Sequence, residues 1–186
     1  LALATEDPCD LLISMATLTG AARVAVGPDL APFYTDDDAV AQALIQGAKT
    51  GFDPVWRMPF HDPYDAVIEP GIADLDNSPG FGFAGSVTAA LFLRRFVPAH
   101  IPWAHLDLYA WNDSTRPGRP EGGEAQGARA IHAAIVRICR VSPGGPPIDP
   151  ENVMVGMSGI EMALSTPPDP MKEHMIMSNE HNPDQQ

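Results

Sequence analysis

The sequence predicts an α/β fold around a mainly parallel sheet. Two apolar runs, Leu11-Leu12-Ile13-Ser14-Met15 and Trp103 to Tyr109, have the length and composition of strands. Several intervening and following stretches instead space their apolar residues at helical intervals, and strands alternating with helices imply layers. The first run follows the turn-forming pair Asp7-Pro8 and lacks polar alternation, as in a strand buried on both faces. A short apolar helix is expected at Ala21 to Val26. Residues 38–50 put Val40, Ala43, Leu44 and Ala48 on one stripe, with Gly51 just past the end. Gly85 or Ser86 opens a further helix that stops before Pro98. A last helix, from about Ala125 to Arg140, carries Ala130, Ile131, Ala134, Ile135 and Ile138 on one face.

Charge and composition exclude several classes of function. The 186 residues hold 24 Asp and Glu against 11 Lys and Arg, a net charge of −13. Nucleic-acid affinity comes mostly from cations neutralising phosphates, so no nucleic-acid partner is expected, and no anionic membrane surface either. No apolar run reaches the length of a spanning helix. Cys9 and Cys139 form neither a disulfide framework nor a Cys-x-x-Cys metal pair, which fits a cytoplasmic protein. Composition shifts near Arg140. Residues 141–186 carry six of the eight Met, eight of the 20 Pro and no aromatic residue. This acidic tail is expected to be irregular or disordered, apart from one short helix at about 150–164 capped by Asp149 with Pro150 at its first position. Leu1-Ala2-Leu3-Ala4 reads as the last turn of a helix that starts upstream, so the chain is expected to be cut at its N-terminus.

Ligands of such sheets bind beyond the carboxyl ends of the strands. Ala16-Thr17-Leu18-Thr19-Gly20-Ala21 follows the first strand, and its glycine lets a ligand approach the main chain; a plain strand-to-helix turn would need the same residues for geometry. Gly80 to Gly85 matches G-x-G-x-x-G, but Asp74, Asp76, Asn77, Ser78 and Pro79 before it are turn chemistry rather than a strand. A loop covering a pocket is the better reading. His105 and Asp107 share a strand face without a third ligand and read as a satisfied buried pair. Asp36-Asp37-Asp38 reads as a helix cap, and Trp56 as a core aromatic before Arg57, which could hold a carboxylate locally. No Gly-x-Ser-x-Gly elbow is present.

Several blocks in order resemble one family. LISMATLTGAA (12–22), VWRMP (55–59), IADLDN (72–77), GSVTAALF (85–92), WAHLDL (103–108) and GRPEGGE (118–124) resemble the leucyl (cytosol) aminopeptidases over about residues 1–140. FYTDD (33–37) and YAW (109–111) resemble the bacterial branch. The resemblance implies the C-terminal part of a three-layer α/β/α catalytic domain with a mainly parallel or mixed sheet. It implies a peptide substrate losing its N-terminal residue, Leu prominently, and a homo-oligomer, a hexamer of two trimers. It also implies two divalent ions, Zn, Mn or Mg, with bicarbonate as base.

The family's metal ligands are a lysine, aspartates and a glutamate, the last in an Asn-Thr-Asp-Ala-Glu-Gly-Arg-Leu motif that lies upstream of Leu1. The resemblance therefore implies no catalytic residue and no metal ligand in this chain. It implies a substrate role for Thr17, Leu18 and Gly20, whose backbone would align the substrate, with Thr17 and Gly20 also lining the pocket for the first side chain and Gly85 and Tyr109 at the same pocket. Ser14 stands where the family commonly has an acidic residue that is not a ligand. The chain is thus expected to supply the substrate-pocket wall of a two-metal aminopeptidase, to be inactive alone, and to aggregate or require partner subunits. The alternative is a non-catalytic relative acting as a structural or binding subunit.

Overall fold

A computed structural model describes residues 1–140, 153–157 and 160–163. Strand β1 (Leu11–Ala16) lies inside a six-stranded sheet, and Leu11, Leu12 and Ile13 are almost wholly buried. A strand covered on both faces needs such a continuous apolar run. The other strands are β2 (Ala31–Tyr34), β3 (Val55–Arg57), β4 (Trp103–Asp107), β7 (Val153–Met157) and β8 (Ile160–Ala163), in the order β3-β2-β4-β1-β7-β8. Strands β5 (Trp111–Asn112) and β6 (Gly122–Gly123) form a separate ribbon. β1 pairs in parallel with β4 and β7, and β2 with β3, whereas β2–β4 and β7–β8 are antiparallel, so the sheet is mixed. Ala16 lies opposite Asp107, so β1 and β4 end side by side.

Helices cover both faces. On one side, α2 (Asp38–Gly51) and α4 (Ala128–Arg140) place Val40, Leu44, Ile131 and Ile135 against Leu11, Ile13 and Leu106. On the other, Leu93 of α3 (Gly85–Arg94) packs on Leu12 and Trp103; α1 (Gly20–Val26) packs beside α3. The result is the expected three-layer α/β/α arrangement. No helix among the described residues is long and apolar enough to cross a membrane.

Each end of the α2–α4 pair is closed by polar chemistry. Asp37 accepts the Val40 N–H at 2.9 Å and caps α2, as the acidic run predicts. Asp53 accepts from the backbone N–H groups of Gly127, Arg129 and Ala130 at the start of α4. The Arg129 guanidinium donates back to the Gly51 and Phe52 carbonyls at the end of α2. Where the helices cross, a Cβ on Gly47 would lie 2.3 Å from the Ala130 carbonyl oxygen and 2.8 Å from the Ala134 nitrogen. Only glycine permits that approach.

Three sequence expectations change. β2 and β3 are strands beyond those expected, and β2 contains Pro32, a residue that central strands usually exclude. Pairing with β4 reaches only Phe33 and Tyr34, so the N–H that Pro32 lacks is not needed. Trp56 is not core but 58% exposed: β3 is a short edge strand whose Val55 packs on the α2 side, which turns Trp56 the other way. The expected helix at 150–164 gives way to β7 and β8. Val153 and Val155 pack with the α2–α4 core and Met154 on the opposite side, and as a strand this segment meets the backbone groups along β1. Asp149, Pro150 and the rest of the expected irregular tail lie outside the described residues.

Replacing Gly47 with Ala overpacks the helix crossing against backbone atoms, so Gly47→Ala should lose about 2–3 kcal/mol of stability. Urea unfolding at neutral pH measures it.

Candidate functional site

The site is built where β1 and β4 end together. Asp107, the last residue of β4, is 1% exposed. A buried carboxylate must be compensated by donors. Oδ1 accepts from the backbone N–H groups of Leu18 (3.2 Å) and Thr19 (2.9 Å). Oδ2 accepts from the hydroxyls of Thr19 (2.5 Å) and Ser86 (2.8 Å). Both hydroxyls are held in turn: Thr19 Oγ1 accepts the Ala22 N–H as the cap of α1, and Ser86 Oγ accepts from the Tyr34 hydroxyl at 2.8 Å. One carboxylate thus ties the β1 loop, α1, α3 and β2 to the end of β4. Burial pushes the Tyr34 hydroxyl up to about 12, with Asp107's charge adding to it against the Ser86 bond.

This arrangement orients the loop. A trans peptide points its C=O opposite to its N–H. Because the N–H groups of Leu18 and Thr19 turn toward Asp107, the carbonyls of Thr17 and Leu18 point away from it, on a loop whose residues Thr17, Leu18 and Gly20 are exposed. Two parallel acceptors on an exposed loop suit a ligand that brings N–H donors. A cavity of about 610 Å³ adjoins the loop. Leu18 and Thr19 form one wall, Phe81, Phe83 and Gly85 another, and Phe92 and Leu93 part of its lining. Gly82 at φ 75° and Ala84 at φ 49° shape the loop leading into α3. The glycine-rich stretch therefore lines a pocket, and no strand precedes it. A Cβ on Gly85 would lie 3.3 Å from that of Ala21, so this glycine sets the approach of α3 to α1.

Of the five residues singled out by resemblance, Leu18 and Gly85 meet at this cavity. Thr17, on the exposed loop, and Gly20, the first residue of α1, are not in its lining. Tyr109 points elsewhere: its ring lies under the Arg23 guanidinium at 5.0 Å and its hydroxyl donates to Asp113 at 2.9 Å. Residues that sequence reasoning left out of the site, Asp107, Ser86 and Tyr34, hold it together. The available signal was a carboxylate closing the mostly apolar run Trp103 to Leu108, which has to recruit donors wherever the fold brings them.

His105 is not satisfied by Asp107. Ser14 Oγ lies 3.1 Å from its Nδ1 and accepts the Trp103 indole N–H at 3.0 Å, while its Nε2 is buried with no hydrogen-bond partner among the described residues. Burial lowers the imidazole from its ordinary 6.5 to about 4, against the pull of Asp107 and the Ser14 backbone. Arg57 does hold a carboxylate, that of Asp38 at 2.7 Å. No group of three or more His, Cys, Asp or Glu among the described residues is placed to hold a metal ion. Asp107's oxygens already serve four donors, and Asp76 is the single carboxylate in the cavity lining, so the residues described around the cavity do not fit a two-metal centre.

The model of the cytosol aminopeptidase catalytic domain matches residues 1–132. A probable cytosol aminopeptidase of a Synechococcus strain is 40% identical over 136 residues, 70% of this chain and 27% of the relative. One from Rickettsia bellii is 39% identical over 127 residues, 67% of this chain and 25% of the relative. Among solved structures, the cytosol aminopeptidase of Coxiella burnetii shares 47% identity at a TM-score of 0.66, covering 72% of this chain and 29% of that one. The bottromycin maturation enzyme BotP in complex with Mn shares 30% identity at a TM-score of 0.67, over 72% of this chain and 30% of its own. This chain spans about a quarter of the length of the curated relatives it matches.

Two outcomes follow from the buried network. Removing Asp107 strands four donors, so Asp107→Ala should cost about 3 kcal/mol or more and Ser86→Ala about 1 kcal/mol. In both variants the Leu18 and Thr19 amides should exchange faster while Leu12, bonded to Pro102, stays protected, read by amide hydrogen exchange. His105 gives a pH dependence. Between pH 6.5 and about 4 the unfolded chain takes up a proton that the folded chain refuses. The folded state is therefore destabilised by about 3 kcal/mol as pH falls through that window and is unaffected above it. His105→Gln should remove this component of the slope in urea titrations at a series of pH values.

Proposed function

This chain belongs to the cytosol aminopeptidase family, and we propose that it supplies the substrate-facing wall of an aminopeptidase that removes N-terminal residues, Leu among the preferred, from peptides. The observation carrying this reading is the loop after β1, pinned by Asp107 so that two backbone carbonyls face outward beside an apolar cavity. A peptide laid along the loop would donate its N–H groups to the Thr17 and Leu18 carbonyls, and an apolar side chain would enter the cavity lined by Phe81 and Phe83. Tight hydrogen bonding beneath the loop fixes the acceptors before the ligand arrives, which limits the ordering cost of binding.

On this reading the divalent ions of hydrolysis, and the bicarbonate, are held by polypeptide other than this chain. Oligomeric assembly, with a hexamer as the expected form, and a cytoplasmic setting belong to the same proposal. The absence of a three-donor cluster among the described residues also favours a second reading, a non-catalytic relative that keeps the fold for binding or assembly. The coding sequence upstream of Leu1 separates the two. An in-frame Asn-Thr-Asp-Ala-Glu-Gly-Arg-Leu motif with Lys and Asp ligands supports the enzyme, and their absence supports the binding protein.

The purified chain, supplied with manganese or zinc, should release no chromophore from a leucine-linked substrate; robust turnover by these residues alone would overturn the proposal. Leucinamide, titrated into labelled chain, should shift the amide resonances of residues 17–20 and Gly85 and leave α4 unchanged.

A further inference from the structure

The cavity beside the pinned loop is apolar over most of its wall, yet one carboxylate lines it and no basic side chain does. Leu18, Ile68, Phe81, Phe83 and Phe92 supply apolar surface, and the lining contains neither Lys nor Arg. Asp76 is the carboxylate. Its N–H donates to the Ile68 carbonyl at 2.8 Å, which closes the loop 68–76 over the buried Ile68. Its Oδ1 accepts the Ser78 N–H at 2.8 Å, and its Oδ2 has no hydrogen bond among the described residues. Main chain and side chain are thus both held while one oxygen stays available. Arg94 and Arg95, where α3 ends, pair instead with Asp36, Asp62, Asp65 and Glu69, and no ion pair among the described residues includes Asp76.

A ligand matching this wall has an apolar stem and a cationic end. Phe81 and Phe83 meet edge to face with ring centroids 5.7 Å apart, and both leave ring surface exposed. Such rings accept methylene groups by apolar contact and a cation over a face. Lys and Arg side chains combine the two, laying the stem on apolar surface while the charge stays near water. The chain's net charge of −13 also favours a cation over an anion where no basic residue stands by. We propose that Asp76 is a specificity-determining residue. It raises the cavity's preference for a substrate side chain ending in an amine or guanidinium, as in Lys or Arg, relative to an apolar chain of the same length. This rests on the reading of the loop and cavity as a substrate-facing wall, and narrows it.

Lysinamide and norleucinamide share an α-ammonium and a four-carbon stem and differ in the terminal ammonium. Each is titrated at low salt into the labelled chain, and its Kd is read from the amide resonances of residues 17–20, Phe81, Phe83 and Gly85. The ratio of the two affinities cancels what the shared stem contributes. Asp76→Asn, which keeps an oxygen for the Ser78 N–H, should lower the lysinamide-to-norleucinamide ratio about threefold, the size of an exposed ion pair. Asp74→Asn removes the same charge from outside the cavity lining and should leave the ratio as it is. In the unsubstituted chain, salt at about 0.5 M should lower the ratio by a similar factor. An equal fall in both variants would assign the effect to the overall field of the chain, and a ratio that neither Asp76→Asn nor salt changes would remove Asp76 from recognition. Either result overturns the proposal and, with norleucinamide still bound, leaves the substrate-wall reading standing. If neither amide shifts these resonances, both fall together.

Discussion

The site end of this structure depends on one buried carboxylate. Asp107 sits at the end of an otherwise well-packed strand and is almost wholly shielded from water. A bare charge there would cost far more than any single packing contact returns. Four donors from two neighbouring segments remove that cost, and in converging on Asp107 they fix where those segments lie. The β1 loop cannot relax outward without abandoning two backbone bonds, and α3 cannot slide without abandoning Ser86. Stability and site geometry are here the same set of hydrogen bonds.

The opposite helical layer is held differently. Around α2 and α4 the fit is steric, with Gly47 against the Ala130 carbonyl, and the polar groups are confined to the helix ends. Close-packed interiors transmit small changes in volume poorly tolerated by the surrounding backbone. The α2–α4 layer therefore backs the sheet as a rigid plate, while the polar layer with α1 and α3 carries the exposed loop and cavity. His105 lies between the two kinds of chemistry: a titratable ring buried in the aromatic stack with Trp103, held neutral by burial and only half hydrogen-bonded.

Family membership and local geometry meet at a narrow point. The match covers about a quarter of each relative, and the described residues show a pinned loop with two outward carbonyls beside a cavity. Carbonyls turned outward by an inward-turned N–H pair are acceptors, suited to recognising a peptide backbone. An acceptor surface and an apolar cavity can select and hold; hydrolysis needs a polarised carbonyl and an activated water, and those demand further groups.

Much of the architecture could be read from the sequence because periodicity is local. The apolar run at 11–15, broken only by Ser14, dictated a strand covered on both faces, the stripe through Val40, Leu44 and Ala48 dictated α2, and Asp37 dictated its cap. Tertiary structure alone decided what Asp107 binds. Its partners Leu18, Thr19 and Ser86 are 89, 88 and 21 residues away, and no local spacing records which donors a buried charge will meet. The same holds for Tyr109, whose ring lies under Arg23, for Trp56, exposed by its place on an edge strand, and for β7, whose residues pair with β1 as a strand. Local propensity is a preference of tenths of a kcal/mol per residue, whereas an unpaired buried charge or strand edge costs about 1 kcal/mol or more per group, so contact overrules pattern wherever the two compete.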